Sequence, residues 1–256
     1  MRMRIRLIAA LLLSAPLACS APHESEESNS TAMPLEESSP SGGAAIFPLH
    51  ARPYGHTMVE WSERWSQWIY GVPKDENPQL DPTGEHCGAN QSGPVWFLAS
   101  VTTGGAPNVT RSCTLPEGKA VLFSGGGSLW DYPCPDPAHE PAPGQSLYDF
   151  LRQGAKNAVD GISALSVTLD GRSVNEPFDH RFASPRLFQI TGHPSLTDVL
   201  DPCITGRPQP AVADGYFFMA LPLRAGAHTV VTRTTRSTGA STTRTWDLTV
   251  VARTMP

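Results

Sequence analysis

The chain has 256 residues, with 19 Lys and Arg against 24 Asp and Glu, a net charge of −5 and five cysteines. Without Arg2, Arg4 and Arg6 at the N-terminus, 16 basic groups face 24 acidic ones. An excess of negative charge disfavours a nucleic-acid partner, and the remaining length suits one domain with a substantial core.

Residues 1–18 have the pattern of a secretory signal peptide. The N-terminal arginines precede the apolar run Leu7–Leu13, and small residues lead to Cys19. The Pro-Leu-Ala-Cys segment that ends at Cys19 resembles a bacterial lipoprotein signal, which implies a membrane anchor through a lipid on this cysteine. Secretion without a lipid is the alternative. We therefore expect an exported protein, either an outer membrane or cell-surface lipoprotein or a secreted one.

Residues 19–45 are predicted to be a disordered acidic tether. Residues 20–51 contain five Glu and no Lys or Arg, with Ser, Pro and Gly among the rest. Such a composition cannot bury enough apolar surface to fold. We expect a single folded domain over residues 46–256.

Four cysteines remain beyond Cys19, an even number that suits two disulfides in an oxidising compartment. Of the three possible pairings we favour Cys87–Cys113 and Cys134–Cys203. The first pair flanks two consecutive strand-like segments, and the second ties a long loop to the C-terminal half. Because no two cysteines have C-x-x-C spacing and the histidines are scattered, we predict no metal site and no cofactor.

An amphipathic helix is predicted over Thr57–Tyr70. Its Trp61, Trp65 and Trp68 recur at i, i+4 and i+7, which places three indoles on one face. We interpret this face as one that docks onto a β-sheet core. A row of exposed indoles that stack on sugar rings is the alternative interpretation.

The ends of this helix are marked in the sequence. Thr57 and Glu60 have the spacing of a capping box, and Gly71 and Pro73 end the helix. Glu63 and Arg64 lie off the tryptophan stripe, so we expect them on the solvent-exposed face.

The rest of the chain favours short strands and one further helix. The helix is predicted over Ser146–Asp160, with Ser146 and Asp149 in capping-box spacing. We expect a buried strand at 95–101 and an antiparallel return at 108–115. Threonines of the last two strands are expected on outer faces. The strand segments are 95–101, 108–115, 119–124, 165–169, 173–174, 182–191, 216–223, 227–236 and 242–252. The predicted fold is mainly β, an antiparallel β-sandwich of Ig-like or jelly-roll-like type with two peripheral helices.

Five motifs carry a resemblance to other sequences. They are Trp61-x-x-x-Trp65-x-x-Trp68, Asp81-x-Thr-Gly84, QSGPVWFLA from Gln91 to Ala99, RSCTLPEGK from Arg111 to Lys119 and DGYFFMALPLRAGAH from Asp214 to His228. Together they resemble an uncharacterised family of secreted proteins and lipoproteins of bacteria and archaea. The resemblance extends over about residues 57–250 and implies no activity, because none is established for the family. A Phe-x-Pro-Ile-type segment is expected after Phe123, where this chain has Ser124–Ser128, so any site built by that segment does not carry over.

Motifs that would identify a reaction are not found in the sequence. Ser124–Ser128 is glycine-rich but lacks the G-x-S-x-G spacing of a nucleophile elbow, so we interpret it as a loop. His86 and the pair Asp179 and His180 are the densest polar groups. His180 would suit acid/base chemistry because its unperturbed pKa lies near 6.5, while solvated loop residues are the plainer interpretation.

These patterns favour a binding module of the cell envelope, with a carbohydrate or a cell-surface protein as partner. The candidate binding residues are Trp61, Trp65, Trp68, His86, Asp179 and His180. The alternative is a hydrolase that acts on extracellular polymers, with its site in the predicted loops 73–94 and 124–145. Fold class does not decide between the two.

Overall fold

The computed structural model describes residues 43–100 and 106–252, which belong to one compact unit. The signal segment, Cys19 and residues 20–42 of the predicted tether lie outside the described residues. The helices are α1, Met58–Gly71, and α2, Leu147–Asp160. The strands are β1 Val95–Phe97, β2 Asn108–Pro116, β3 Ala120–Asp131, β4 Ile162–Leu169, β5 Arg172–Ser173, β6 Arg181–Ala183, β7 Phe188–Ile190, β8 Gln209–Ala220, β9 Gly226–Arg236 and β10 Ser241–Val251.

The strands form two five-stranded sheets. Sheet 1 has the order β1-β3-β8-β6, with β7 also paired to β8, and sheet 2 has the order β2-β10-β9-β4-β5. Phe123 and Phe218 of sheet 1 share one buried cluster with Val230 and Leu248 of sheet 2, so the sheets pack face to face. The predicted mainly β sandwich with two helices is confirmed.

Two strand pairs are parallel, so both sheets of the sandwich are mixed. β1 runs parallel to β3, and β2 runs parallel to β10. β1 also ends at Phe97 instead of continuing to residue 101, and β2 does not return beside it. β2 instead adds to the edge of sheet 2, where Leu115 lies opposite Val250 of the inner face. Because β2 and β10 are far apart in the sequence, no local sequence pattern predicts that they pair.

The folded domain begins slightly before the predicted residue 46. The Ala44 N–H donates to the carbonyl of Ser173 at 3.0 Å, and the Leu221 N–H donates to the carbonyl of Ala45 at 3.0 Å. These bonds attach the entering chain to strands that come much later in the sequence.

Helix α1 covers the outer face of sheet 1. The predicted capping box is present: Glu60 N–H donates to Thr57 Oγ1 at 3.2 Å, and Thr57 N–H donates to a Glu60 carboxylate oxygen at 2.7 Å. Trp61 and Trp68 lie in one buried cluster with outward-facing Phe217 of β8. The docking interpretation therefore holds for these two indoles.

Helix α2 covers the part of the inner face of sheet 1 that sheet 2 leaves open. Its Leu151 and Ala155 are fully buried against Val212 of β8. Gly154 faces the Trp130 ring so closely that a Cβ there would lie 2.2 Å from a ring carbon. The glycine that weakens the helix as an isolated segment is thus required by its packing.

Both predicted disulfides, Cys87–Cys113 and Cys134–Cys203, are present. They are compatible with an extracellular protein. Among the described residues, no helix has the length and apolar character needed to cross a membrane.

The contact between Gly154 and Trp130 gives the first prediction. Gly154→Ala would raise intrinsic helix propensity by about 1 kcal/mol, but the added methyl overlaps the indole, so we expect a net loss of about 1–3 kcal/mol of unfolding free energy. Denaturant unfolding followed by circular dichroism measures it. Gln153→Ala, at an exposed neighbour on α2, should change stability by no more than about 0.5 kcal/mol. A Gly154→Ala protein more stable than wild type would contradict the packing.

Candidate functional site

A cavity of about 390 Å³ lies where α1, β3 and the β9–β10 hairpin meet. This volume is within the usual range of small-ligand sites. One wall is helical, one is the backbone of β3, and one is the inner face of sheet 2. The lining residues are Trp65, Ser66, Tyr70, Gln79, Ser100, Ser124–Leu129, Ile162, Ala213, Phe217, Thr232, Thr234, Arg236, Ala240, Thr242 and Arg244.

The β3 wall is built from Ser124–Ser128. This segment was predicted to be a loop, and that prediction is wrong, because it continues β3 through a bulge between Ser124 and Gly126. Gly126 has φ of 131°, which side chains rarely adopt, and a Cβ on it would meet Ile162 at 2.9 Å. Because Gly125, Gly126 and Gly127 have no side chains, the cavity borders the β3 backbone directly.

The wall formed by sheet 2 is polar, although the same face of the sheet is apolar farther from the cavity. Val230 and Trp246 are buried on the inner face, and alternation places Thr232, Arg236 and Arg244 on that same face farther along the strands. These groups line the cavity. The general expectation that the threonines of these strands lie on outer faces does not hold for Thr232, Thr234 and Thr242. The two sheets lack matching apolar side chains at this end, which leaves the space between them open.

The helical wall presents one fixed indole. Trp65 is partly exposed, and its Nε1–H donates to the carbonyl of Leu98 at 3.0 Å. Its ring lies 5.7 Å from that of Phe217 and 6.2 Å from that of Trp68, both near edge-to-face. Of the three predicted indoles, Trp65 alone lines the cavity.

Hydroxyl and amide groups surround this aromatic wall. Gln79 Oε1 is buried without a hydrogen-bond partner among the described residues. The Thr234 hydroxyl donates to the carbonyl of Gly125 at 2.6 Å, and the Ser66 hydroxyl donates to the carbonyl of Ser62 at 3.1 Å. Both hydroxyls keep lone pairs that accept hydrogen bonds.

The cavity walls carry two guanidinium groups. Arg236 Nη1 donates to the carbonyl of Ala158 at 3.1 Å, and Arg244 Nη1 donates to the carbonyl of Pro107 at 2.9 Å. Burial lowers the pKa of Arg244. The described lining residues include no carboxylate, imidazole or thiol.

The remaining predicted site residues lie elsewhere. Trp61 and Trp68 are buried in the α1 docking face, with 5% and 8% of their surfaces exposed. His86 lies in the loop after α1, with its backbone N–H bonded to Asp81 Oδ2 at 2.9 Å. The predicted 73–94 segment is irregular apart from a short 3-10 turn, as expected.

Asp179 and His180 do not line this cavity. Asp179 is exposed, whereas His180 is buried with its ring 4.9 Å from that of Phe218. Burial lowers the pKa of His180, with an opposing influence from Asp179. The imidazole therefore packs at the sandwich core, away from the cavity.

Glu63 departs from the expectation of an exposed position. It has 8% of its surface exposed, and its Oε1 has no hydrogen-bond partner among the described residues. Burial raises its pKa, and a hydrogen bond with Ser184 acts in the opposite direction. The helix is covered on this side as well because β6 and β7 lie against it. Arg64 is exposed as expected.

Buried Asp131 and half-buried Asp201 form a carboxyl pair at the far end of β3. Asp131 has 2% of its surface exposed and accepts from Gln209 Nε2 at 2.6 Å. Burial and the neighbouring Asp201 raise the pKa of Asp131 to about 7. Burial and Asp201 also raise the pKa of Tyr70.

Two groups of potential metal ligands surround the same place, namely Cys134, His139 and Cys203, and Asp131, Asp201 and Cys203. Each contains a cysteine sulfur that belongs to the Cys134–Cys203 disulfide. A thiolate ligand is therefore not offered by this oxidised form.

Sequence reasoning missed the polar groups of the cavity. Arg236 and Arg244 flank the β9–β10 turn, and together with threonines they occupy one face of these strands near the turn. Farther from the turn the same face is apolar. This change from apolar to polar residues along one face was the signal in the sequence. Gln79 and Asp131 lie in segments without hydrophobic periodicity, so no sequence pattern marked them as site residues.

A scan against protein-family models found no match, and comparisons with curated proteins and with solved structures found no significant similarity. The resemblance to the secreted family therefore remains an expectation.

The pair of Asp131 and Asp201 gives a pH prediction. Below about pH 3 the Asp131 carboxyl is mostly protonated in both folded and unfolded chains. As the pH rises toward 7 the unfolded chain releases this proton while the folded chain retains it, so the contribution of this carboxyl to folding stability falls by on the order of 2–4 kcal/mol.

Asp131→Asn removes this titration, so its unfolding free energy should rise relative to wild type between about pH 4 and pH 7. Denaturant unfolding at successive pH values measures the effect. Asp247→Asn, at an exposed position of β10, should retain the wild-type profile. Parallel profiles for Asp131→Asn and wild type would contradict the assignment.

Proposed function

We propose that this chain is an exported binding module of the cell envelope that holds a carbohydrate in the cavity between α1, β3 and the β9–β10 hairpin. The observation that carries the proposal is the composition of the cavity. A fixed indole, a row of hydroxyls, an amide oxygen without a partner and two guanidinium groups surround about 390 Å³ of space.

A sugar ring matches these groups. It has apolar C–H faces that pack on an aromatic ring, and hydroxyls at its rim that donate and accept hydrogen bonds. Trp65 offers the aromatic surface, and the Gln79 amide and the Thr234 hydroxyl stand at the cavity wall, where ligand hydroxyls would pair with them.

The location in the envelope rests on the N-terminal sequence and on the disulfides. The signal-like segment, the lipoprotein-like Cys19 and the acidic tether would place the domain outside the cytoplasm at the end of a flexible spacer. Disulfides are stable in such an oxidising compartment.

The concave cavity supports a small ligand over a cell-surface protein, because protein partners bury broad surfaces of about 800 Å² on each side. The alternative of a hydrolase has less support. Asp131, in the 124–145 segment, has a raised pKa, as a hydrolytic acid would need. It is, however, buried, hydrogen-bonded to Gln209 and not among the residues that line the cavity. A hydrolytic acid must reach the bond that it protonates.

Binding to an array of immobilised glycans, followed by calorimetric titration with the soluble sugars that bind, tests the proposal. We expect Gln79→Leu to weaken binding roughly 3- to 10-fold, as expected for one lost hydrogen bond to the ligand. Gln153→Leu, at an exposed amide on α2, is the matched control and should bind as wild type. Absence of binding to any glycan, or equal affinities for the two variants, would contradict the proposal.

A further inference from the structure

We propose that Cys134, Cys203, His139 and Asp201 form a zinc site when the Cys134–Cys203 disulfide is reduced, so that a dithiol reductant converts a covalent cross-link into a metal cross-link. None of these residues lines the cavity beside α1, so the proposal is independent of the proposed function. It is carried by the side chains that surround the disulfide.

The groups around the disulfide are those that zinc prefers. The sulfurs of Cys134 and Cys203 and one ring nitrogen of His139 lie within 4.8 Å of one another. The Cys203 sulfur and the carboxylate oxygens of Asp131 and Asp201 also lie within 4.8 Å of one another. Zinc binds four ligands in a tetrahedron, at about 2.3 Å from sulfur and about 2.0 Å from nitrogen. Two thiolates, an imidazole and a carboxylate complete such a set.

Asp201 is the carboxylate placed to bind the cation. It is half-exposed and stands two residues before Cys203, whose backbone N–H donates to Asp201 Oδ1 at 2.9 Å. Asp131 is buried, accepts from Gln209 Nε2 at 2.6 Å and is hydrogen-bonded to the Asp201 carboxyl. Carboxylates that bind a metal are normally held by such outer hydrogen bonds. Asp131 therefore supports Asp201 from the buried side.

The imidazole of His139 is already oriented for metal binding. Its Nε2 lies 2.9 Å from the carbonyl oxygen of Asp131. A carbonyl only accepts, so Nε2 carries the proton and Nδ1 keeps a lone pair. The ring stacks on Trp130 and meets Phe150 edge-on, with ring centres 5.0 Å apart in both contacts. A zinc-binding histidine normally donates its second N–H to a carbonyl or carboxylate, which fixes the ring in this way.

The site is accessible and its backbone is irregular. Cys134 and His139 are half-exposed, so a reductant and a cation can reach them from solvent. Both lie in the segment 132–146, and Cys203 lies in the segment 197–208, neither of which contains a helix or strand. Such segments accommodate the small separation of the sulfurs that zinc binding requires. Because the two cysteines are 69 residues apart, no short-spacing motif marks the site in the sequence.

The switch is a thiol–disulfide exchange followed by metal binding. A thiolate of a dithiol reductant, such as a C-x-x-C protein, attacks the half-exposed Cys134 sulfur, and the Cys203 sulfur leaves as a thiolate. The second thiol of the reductant breaks the mixed disulfide and releases Cys134. The reductant thus becomes a disulfide, and the protein gains two electrons and two protons. Zinc then displaces the thiol protons to solvent and binds the two thiolates.

Oxidation runs the exchange in reverse. A disulfide-bonded oxidant removes two electrons from the thiolates, the Cys134–Cys203 bond forms again, and zinc leaves because a disulfide offers no thiolate. The segments 132–146 and 197–208 remain joined in both states, by the disulfide in one and by the metal in the other.

Zinc binding to the full chain tests the proposal, with Cys19→Ser in every sample so that only the four domain cysteines remain. Oxidised protein is compared with protein reduced by a phosphine, which is itself oxidised to the phosphine oxide. Mass spectrometry measures the bound zinc after gel filtration, and a thiolate-to-metal charge-transfer band measures binding of Co²⁺ in place of zinc. We expect one zinc ion per reduced chain, none per oxidised chain, and the charge-transfer band in the reduced form alone.

Variants locate the ligands. His139→Ala should weaken zinc binding to the reduced chain by about 10- to 100-fold. His86→Ala is its matched control, because His86 is another half-exposed histidine and lies outside the site. The double variant Cys87→Ser and Cys113→Ser retains the Cys134–Cys203 pair and should still bind zinc when reduced. Circular dichroism confirms that each variant is folded.

A reduced chain that binds no zinc would overturn the proposal, and so would equal binding by the oxidised chain, because thiolates would then not be the ligands. Equal zinc affinities for His139→Ala and His86→Ala would overturn it as well, since thiols alone would explain the binding. Loss of zinc from the folded double variant would assign the metal to the other cysteine pair. Each of these outcomes leaves the glycan-binding test unaffected.

Discussion

The architecture depends on the docking of one tryptophan-rich helix onto the outer face of sheet 1. Trp61 and Trp68 of α1 lie within 6.2 and 5.4 Å of the Phe97 ring on β1, measured between ring centres. An indole buries 150–250 Å² of largely apolar surface, so two such contacts form a major part of this interface. The helix thereby becomes a fixed layer of the protein.

Hydrogen bonds from the same indoles organise the loops around the helix. The Nε1–H groups of Trp61, Trp65 and Trp68 donate to the carbonyls of Pro53, Leu98 and Ala89, at distances between 2.8 and 3.0 Å. Buried indoles normally find such partners. Because these carbonyls precede and follow α1 in the chain, the irregular segments are held against the helix, and the cavity gains a rigid wall at Trp65.

The candidate site exists because large apolar side chains do not fill the space between the sheets beside α1. At one end of the sandwich Phe123, Phe218 and Trp246 fill the space between the sheets. At the other end β3 has three glycines and β9 and β10 present threonine and arginine. Side chains of this kind do not close a dry core, since burying them without partners costs free energy. An open, polar cavity is the consequence.

The sequence was most informative where a feature is local. The capping box of Thr57 and Glu60 and the N-cap at Ser146 concern residues three positions apart, and both are present in the structure. The favoured pairs Cys87–Cys113 and Cys134–Cys203 are also present, although β2, which carries Cys113, joins sheet 2 and does not pair with β1.

Features that depend on distant partners were not predictable. The Ser124–Ser128 run has a loop composition, yet pairing with β8 makes it a strand. Glu63 has the helical position of an exposed residue, but β6 and β7 cover it. The cavity itself arises from three segments that are far apart in the chain, so its lining could not be assembled from any one of them.

Denaturant unfolding of Trp68→Ala beside Gln67→Ala shows whether the tryptophan stripe holds α1 on sheet 1. Trp68 is buried and Gln67 is its exposed neighbour. We expect a loss of about 3–5 kcal/mol of unfolding free energy for Trp68→Ala and no more than about 1 kcal/mol for Gln67→Ala, which gives up one hydrogen bond to the carbonyl of Gln189. Small and equal losses for both variants would contradict it.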